Sequence, residues 1–156
     1  MAIVFEVEDG TGLVNANAYA EVADVTQYHE NNGNAAWAAA SLDQQQVAII
    51  KGTQYIDAMY RARDRKFNAQ QALQFPSWSQ DWPSTHLVHA TAELALRALA
   101  GGLINDTDGR VQDSIKVGPI AIGYKGGFAQ SRYTVVDALM SSLIGGTATS
   151  VRVHRA

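Results

Sequence analysis

Apolar residues recur at helical spacing in several stretches of this chain, each bounded by residues that start or stop helices. Val22, Val25 and Tyr28 mark a short helix beginning at Glu21 or Asp24 and ending at Asn31. There Asn31-Asn32-Gly33-Asn34 is a strong stop, with a glycine suited to a left-handed terminus. Ala35 to Ala40 predicts one helical turn carrying Trp37. Ser41-Leu42-Asp43-Gln44 has the capping-box pattern, in which Ser41 and Gln44 satisfy each other's free backbone donors, and opens a long helix to about Arg61. Its core face reads Ile49, Thr53, Ile56 and Tyr60, widened by Tyr55 and Met59. Another helix runs from Ser84 or Thr85 to Ala100, with Leu87, Ala90 or Thr91, Leu94 and Ala98 on one face. A favourable Glu93 to Arg97 pair supports it and Gly101-Gly102 ends it. The last helix, about Thr134 to Ile144, carries Val135, Val136, Leu139 and Leu143 and stops at Gly145-Gly146.

The remaining segments read as extended chain and turns. Ile3 to Val7 alternates weakly before Asp9-Gly10-Thr11-Gly12 breaks it, which predicts an extended arm or short strand. Asn68 to Pro83 holds Phe75-Pro76 and Trp82-Pro83; each proline drives its aromatic predecessor towards an extended conformation. Phe75, Pro76, Trp82 and Pro83 therefore form a structural corner in an ordered connector. After a turn at Asn105 to Gly109, Val111 to Val117 and Ile120 to Tyr124 alternate as strands do, divided by Gly118-Pro119 and closed by Lys125-Gly126-Gly127. A hairpin or bent strand pair is expected there. Thr147 to Ala156 is β-prone and basic. The fold class is mainly α (α+β): a small helical bundle with a short β-hairpin element, an extended N-terminal arm and a C-terminal tail. With no internal repeat or composition shift, one domain is expected over 1–156, with the arm at 1–17, the helical core at 18–146 including the β element at 110–125, and the tail at 147–156.

Composition narrows the function. At 47% hydrophobic and 17% charged residues the chain reads as globular, and at 156 residues it is long enough to bury a sizeable core without staples. It contains no cysteine, which removes disulfides, thiolate nucleophiles and cysteine-based zinc sites and suits assembly in a reducing cytoplasm. Its apolar runs fall far short of the ~18 residues a membrane span requires, so no membrane partner is expected. Met1 to Asp9 lacks the basic start and apolar middle of a secretory signal, so export is not expected. A net charge of −3 argues against general affinity for nucleic acid but leaves room for a local basic patch.

The candidate chemistry is sparse. His86, His89 and Glu93 share one helix face at a spacing that can supply metal ligands, yet no His-Glu-x-x-His or fourth ligand accompanies them, and an exposed polar face is the preferred reading. Asp106, Asp108 and Gly109 resemble the start of a calcium loop without its later acidic ligand. There is no Gly-x-Ser-x-Gly, and the glycine pairs lack any phosphate-loop pattern. The expectation is a protein that is not an enzyme and holds no cofactor or metal. Arg61, Arg63, Arg65 and Lys66, interleaved with Tyr55, Tyr60 and Phe67, make the best case for nucleic-acid contact, because cations beside stacking aromatics are how single strands are held. The competing reading is a helix C-terminus whose cations favour the backbone dipole or a protein interface, neutralised by Asp57 and Asp64.

The order of six short motifs resembles the tailed-phage head–tail connector (adaptor) family across nearly the whole chain. They are Asn15-Ala16-Asn17-Ala18-Tyr19, Gly33-Asn34-x-x-Trp37, Tyr55-Ile56-Asp57, Gln71-Ala72-Leu73-x-Phe75-Pro76, Ala90-Thr91-Ala92-Glu93-Leu94-Ala95-Leu96 and Val117-Gly118-Pro119. Some members of that group carry the label of a DnaT-like, primosome-type single-stranded DNA-binding protein. Where members often show Trp-Pro-Arg at the corner, this chain has Phe75-Pro76-Ser77, and His89 stands where a basic residue is expected. The resemblance implies a helical bundle with a small β element, working in the virion neck as a homo-oligomeric ring of about twelve subunits. The implied partners are the portal protein, further copies of the chain and a downstream neck or tail completion protein, with packaged DNA passing through the lumen without sequence-specific binding. In that reading Val151, Arg152, Val153, His154 and Arg155 form an interface to the portal or a neighbouring subunit, because a β-prone tail can add a strand to another chain. Single-stranded DNA binding in replication is the alternative.

Overall fold

The computed structural model describes residues 3–104 and 133–144 in full, and the backbone of 114–117 and 120–123. The turn at Asn105 to Gly109, Gly118-Pro119, Lys125-Gly126-Gly127 and the tail with Val151, Arg152, Val153, His154 and Arg155 lie outside the described residues.

Helix α1 spans Val22–Asn31, α2 Ala35–Ala38, α3 Leu42–Met59, α4 Thr85–Ala100 and α5 Thr134–Met140; β1 (Ser114–Val117) and β2 (Ile120–Gly123) form an antiparallel pair. The protein is thus mainly helical with a short hairpin. Local signals account for most boundaries. Ser41 Oγ accepts from Gln44 N at 3.3 Å while Ser41 N donates to Gln44 Oε1 at 2.9 Å, the reciprocal cap that opens α3. Gly33 takes φ +70 after α1, the left-handed geometry only glycine adopts without strain. Ser84 caps α4 by accepting from Leu87 N at 3.4 Å.

Helices α3 and α4 form the central pair, and α1 and α5 also pack against α4. Ile49, Thr53 and Ile56 of α3 meet Leu87, Leu94 and Ala95 of α4 in a solvent-free core. The two backbones approach closely at Gly52, where an added Cβ would lie 3.2 Å from the Thr91 carbonyl and 3.3 Å from Leu94 Cβ. Met59, expected to widen the core face of α3, is instead 36% exposed: it is the last residue of the helix and lies at the edge of the buried face that Ile56 and Tyr60 continue.

The N-terminal arm is extended as expected, but it lies on its own core. Val7 bridges Ala18 in parallel, Glu8 N donates to Ala18 O at 2.9 Å, and Phe5 and Val7 pack on the hydrophobic cluster. One edge of the arm is therefore paired within the chain itself. Glu8, only 2% exposed, accepts from Gly10 N at 3.0 Å, Gly12 N at 2.8 Å and Leu13 N at 2.9 Å. This wraps residues 8–13 into a tight loop, and the positive φ of Gly10 (96) lets Trp82 pack where a Cβ would stand.

A polar knot joins three segments beside the helix pair. Tyr19, 1% exposed, donates its hydroxyl to the Asp57 carboxylate and accepts from Phe75 N at 3.1 Å. Asp57 also accepts from Gln74 N at 3.1 Å, and Tyr19 N donates to Thr53 Oγ1 at 3.1 Å. The Tyr19 and Phe75 rings meet edge to face at 5.9 Å. Burial first, then the neighbouring Asp57 charge, holds the Tyr19 hydroxyl far above its ordinary value, so it remains a donor. Tyr19→Phe removes one donor from Asp57 and strands the buried Phe75 N–H, and is expected to lower stability by about 1–3 kcal/mol. Urea unfolding should show a reduced midpoint at unchanged slope.

Candidate nucleic-acid interface

Residues 60–84 connect α3 to α4 and carry the basic run. Tyr60 turns extended at φ −119 and ψ 139, and no basic residue lies in the last turn of α3. The dipole-capping reading of Arg61, Arg63, Arg65 and Lys66 is therefore corrected: these residues sit in the connector, beyond the helix. Ala62 bridges Ile144 and Arg63 N donates to Leu143 O at 3.2 Å, which ties the connector to the end of α5.

Further along, the connector folds back on itself. Lys66 and Ser77 form an antiparallel bridge, flanked by Trp78 N to Arg65 O at 2.9 Å and Phe67 N to Pro76 O at 3.2 Å. Successive side chains on such a ladder point to opposite sides. Ser77 is accordingly buried and Lys66 half-buried, with Lys66 Nζ donating to Gln71 O at 3.1 Å. Arg65, Phe67 and Trp78 face outward. Gln71, itself 3% exposed, fills the loop by donating to Leu73 O at 2.9 Å and Pro76 O at 3.0 Å while accepting from Asn68 N at 2.9 Å.

The result is an exposed aromatic pair under a cation. Phe67 is 46% and Trp78 57% exposed, their rings stack at 5.9 Å with 27° between planes, and Arg65 Cζ lies 4.5 Å from the Trp78 ring. Among the described residues no carboxylate forms a salt bridge with Arg61, Arg63 or Arg65; the ion pair there is Arg97–Glu93 at 2.6 Å on α4. Asp64 accepts from Arg65 N at 2.7 Å, and Asp57 is taken up by Tyr19 and Gln74. Burial pushes the Asp57 carboxyl up, against the pull of its hydrogen bonds and of the Lys66 and Arg61 charges.

Of the interleaved aromatics expected from sequence, only Phe67 is available; Tyr55 and Tyr60 are buried in the core. Lys66 likewise serves the loop more than the surface. The corner residues Phe75, Pro76, Trp82 and Pro83 do anchor the connector: Phe75 is fully buried, Trp82 packs on the core and both prolines follow cis peptide bonds. Sequence reasoning missed Trp78. Its signal is a large aromatic inside the polar run Ser77-Trp78-Ser79-Gln80-Asp81, between two proline corners that rule out the helix its spacing from Phe75 and Trp82 would otherwise suggest.

The His86, His89 and Glu93 face is divided among separate partners. His86 Nδ1 meets Ser142 Oγ at 3.0 Å, the His89 ring lies 4.6 Å from that of Tyr28, and Glu93 accepts from Tyr28 at 2.8 Å and Arg97 at 2.6 Å. Among the described residues no group of three or more His, Cys, Asp or Glu side chains is placed to hold a metal, and no helix is long and apolar enough to cross a membrane. Burial, then the Glu93 hydrogen bond, pushes the Tyr28 hydroxyl up to about 12. Nearby His29 is buried, with Nε2 donating to Ala92 O at 3.0 Å and Nδ1 accepting from Asn34 at 3.0 Å; burial holds it below its ordinary value, in the neutral form this pairing requires.

A mainly helical protein with an exposed, cation-covered aromatic pair on a rigid connector defines a candidate nucleic-acid-binding module. The whole chain, residues 1–156, matches the family described as "Putative DnaT-like ssDNA binding protein", and the protein belongs to that family. No curated protein and no solved structure matches it.

For Glu93, burial raises the carboxyl, but hydrogen bonds from Arg97 and Tyr28 and the Arg97 charge outweigh it and leave it below its ordinary 4.5. A depressed carboxyl contributes stability above the unfolded value and loses it as pH falls through the folded one. Wild type should therefore exceed Glu93→Gln in stability at neutral pH. The gap should close as pH drops below about 4.5, measured by urea midpoints across a pH series.

Proposed function

We propose that the protein binds single-stranded DNA on the connector surface, with Trp78 and Phe67 as a stacking platform and Arg61, Arg63 and Arg65 tracking the backbone. The observation that carries this reading is the stacked, half-exposed Phe67–Trp78 pair with Arg65 over the indole. Two large aromatics left in water are costly unless a partner covers them, and every base offers a π-face to such a pair. The description of the family supports the same reading. With a net charge of −3, binding rests on this local patch and stays moderate and salt-sensitive. Trp78→Ala should weaken oligothymidylate binding by about 5- to 150-fold, the equivalent of one lost base stack, in a fluorescence anisotropy titration. Unchanged affinity with an intact fold would sink the proposal.

A second reading, the virion neck adaptor, is favoured by the architecture: a helical bundle with a two-stranded antiparallel element, in the order the connector resemblance implies. In it the chain acts without enzymatic activity, as a ring between the portal and a downstream neck or tail completion protein. Its single domain leaves the tail at Val151, Arg152, Val153, His154 and Arg155 for docking, and the exposed aromatics cover a neighbouring subunit. Mass spectrometry of purified, nuclease-treated phage particles separates the two readings. Copy number comparable to portal is expected of an adaptor, and absence from particles of a replication protein.

A further inference from the structure

Beside the aromatic platform lies a cleft of about 430 Å³, bounded by the connector, the first turn of α4 and the turn after α5. Arg63, Ser77, Asp81, Thr85, His86 and Ser142 are among the residues that line it. Ser77 and Ser79 flank Trp78 in the chain and both line the cleft, which places it next to the platform.

The lining is rich in donors and carries the Arg63 cation. Arg63 is fixed through its backbone by the bond to Leu143 O, and its Nε reaches Ile144 O at a long 3.4 Å. Among the described residues its terminal nitrogens have no hydrogen bond or ion pair. His86 uses Nδ1 on Ser142, which leaves Nε2 for another partner. The first turn of α4, a 16-residue helix, contains no acidic side chain to offset its positive end. A compact oxyanion is the ligand such a set recognises; the Asp81 carboxylate is the one opposing charge.

We propose that this cleft seats a backbone phosphate of the strand whose base stacks on Trp78, with the Arg63 guanidinium as its cation and the Ser77 and Thr85 hydroxyls as neutral donors. The inference rests on the single-stranded DNA reading above and adds where the strand runs: from the platform past Arg63 towards the N-terminus of α4. Asp81 then acts as an attenuator that keeps the grip weak.

Full-length Arg63→Gln and Asp81→Asn proteins, both altered at exposed positions, test this by titration with labelled oligothymidylate across a salt series. Arg63→Gln is expected to bind several-fold more weakly and to reduce the log–log salt slope by about 0.7, the value of one single-strand phosphate contact. Asp81→Asn is expected to bind more tightly. If both variants match wild type while Trp78→Ala abolishes binding, the cleft assignment is overturned and the stacking reading stands. If Trp78→Ala changes nothing, the parent reading fails and this inference with it. Inorganic phosphate alone, followed on the His86 ring resonances, separates the sources of anion. Saturable shifts without any Arg63→Gln effect on oligothymidylate affinity assign the cleft to free phosphate and overturn the backbone proposal.

Discussion

The hydrogen bond between the Tyr19 hydroxyl and the Asp57 carboxylate is the contact on which the non-helical half of the structure depends. A half-buried carboxylate is tolerable only when donors surround it, and these donors come from two segments: Tyr19, just after the arm, and Gln74 of the connector, with Phe75 N donating to the Tyr19 hydroxyl in turn. None can be withdrawn without leaving a polar group unpaired in the interior. The helix pair α3 and α4 could associate through apolar contact alone. The path of residues 60–84, and so the position of everything they display, is set by this knot and by Gln71 inside the loop.

Much of the helical architecture was legible in the sequence because its signals are local. Ser41 and Gln44 cap α3 as their spacing indicates, Gly33 ends α1 in the left-handed region, and Glu93 pairs with Arg97. The connector was harder to read. Phe75 and Trp82 announce themselves through the prolines that follow, but the pairing of Lys66 with Ser77 spans a loop and has no short-range signature. That pairing decides which cations and aromatics face water. Hence Lys66, beside the exposed arginines in sequence, serves the loop interior, while Trp78 belongs to the surface. Met59 misled for a related reason: periodicity marks which residues prefer burial, and only the tertiary arrangement determines which of them are covered.

Charge is distributed unevenly in a way the net value of −3 conceals. Glu8 is enclosed by three backbone donors, Glu93 by Arg97 and Tyr28, and Asp57 by Tyr19 and Gln74. These acids are spent on internal structure. Arg61, Arg63 and Arg65 are exposed and unmatched by carboxylates among the described residues. A protein of acidic composition can thus present a basic face, because the local field is set by which charges reach solvent.

The bridge between Lys66 and Ser77 has a consequence for how this surface can change over time. Neighbouring positions have separate duties: Lys66 and Ser77 are committed to the loop interior, whereas Arg65, Phe67 and Trp78 turn outward, with Pro76 at the buried corner the exception. Substitutions at Arg65, Phe67 or Trp78 can remodel what the protein recognises while the scaffold stays untouched. A slip of one residue in the pairing would exchange the two sets at once. The same two-residue period that shields the interior therefore makes the outer row the part of the molecule most open to acquiring a new partner.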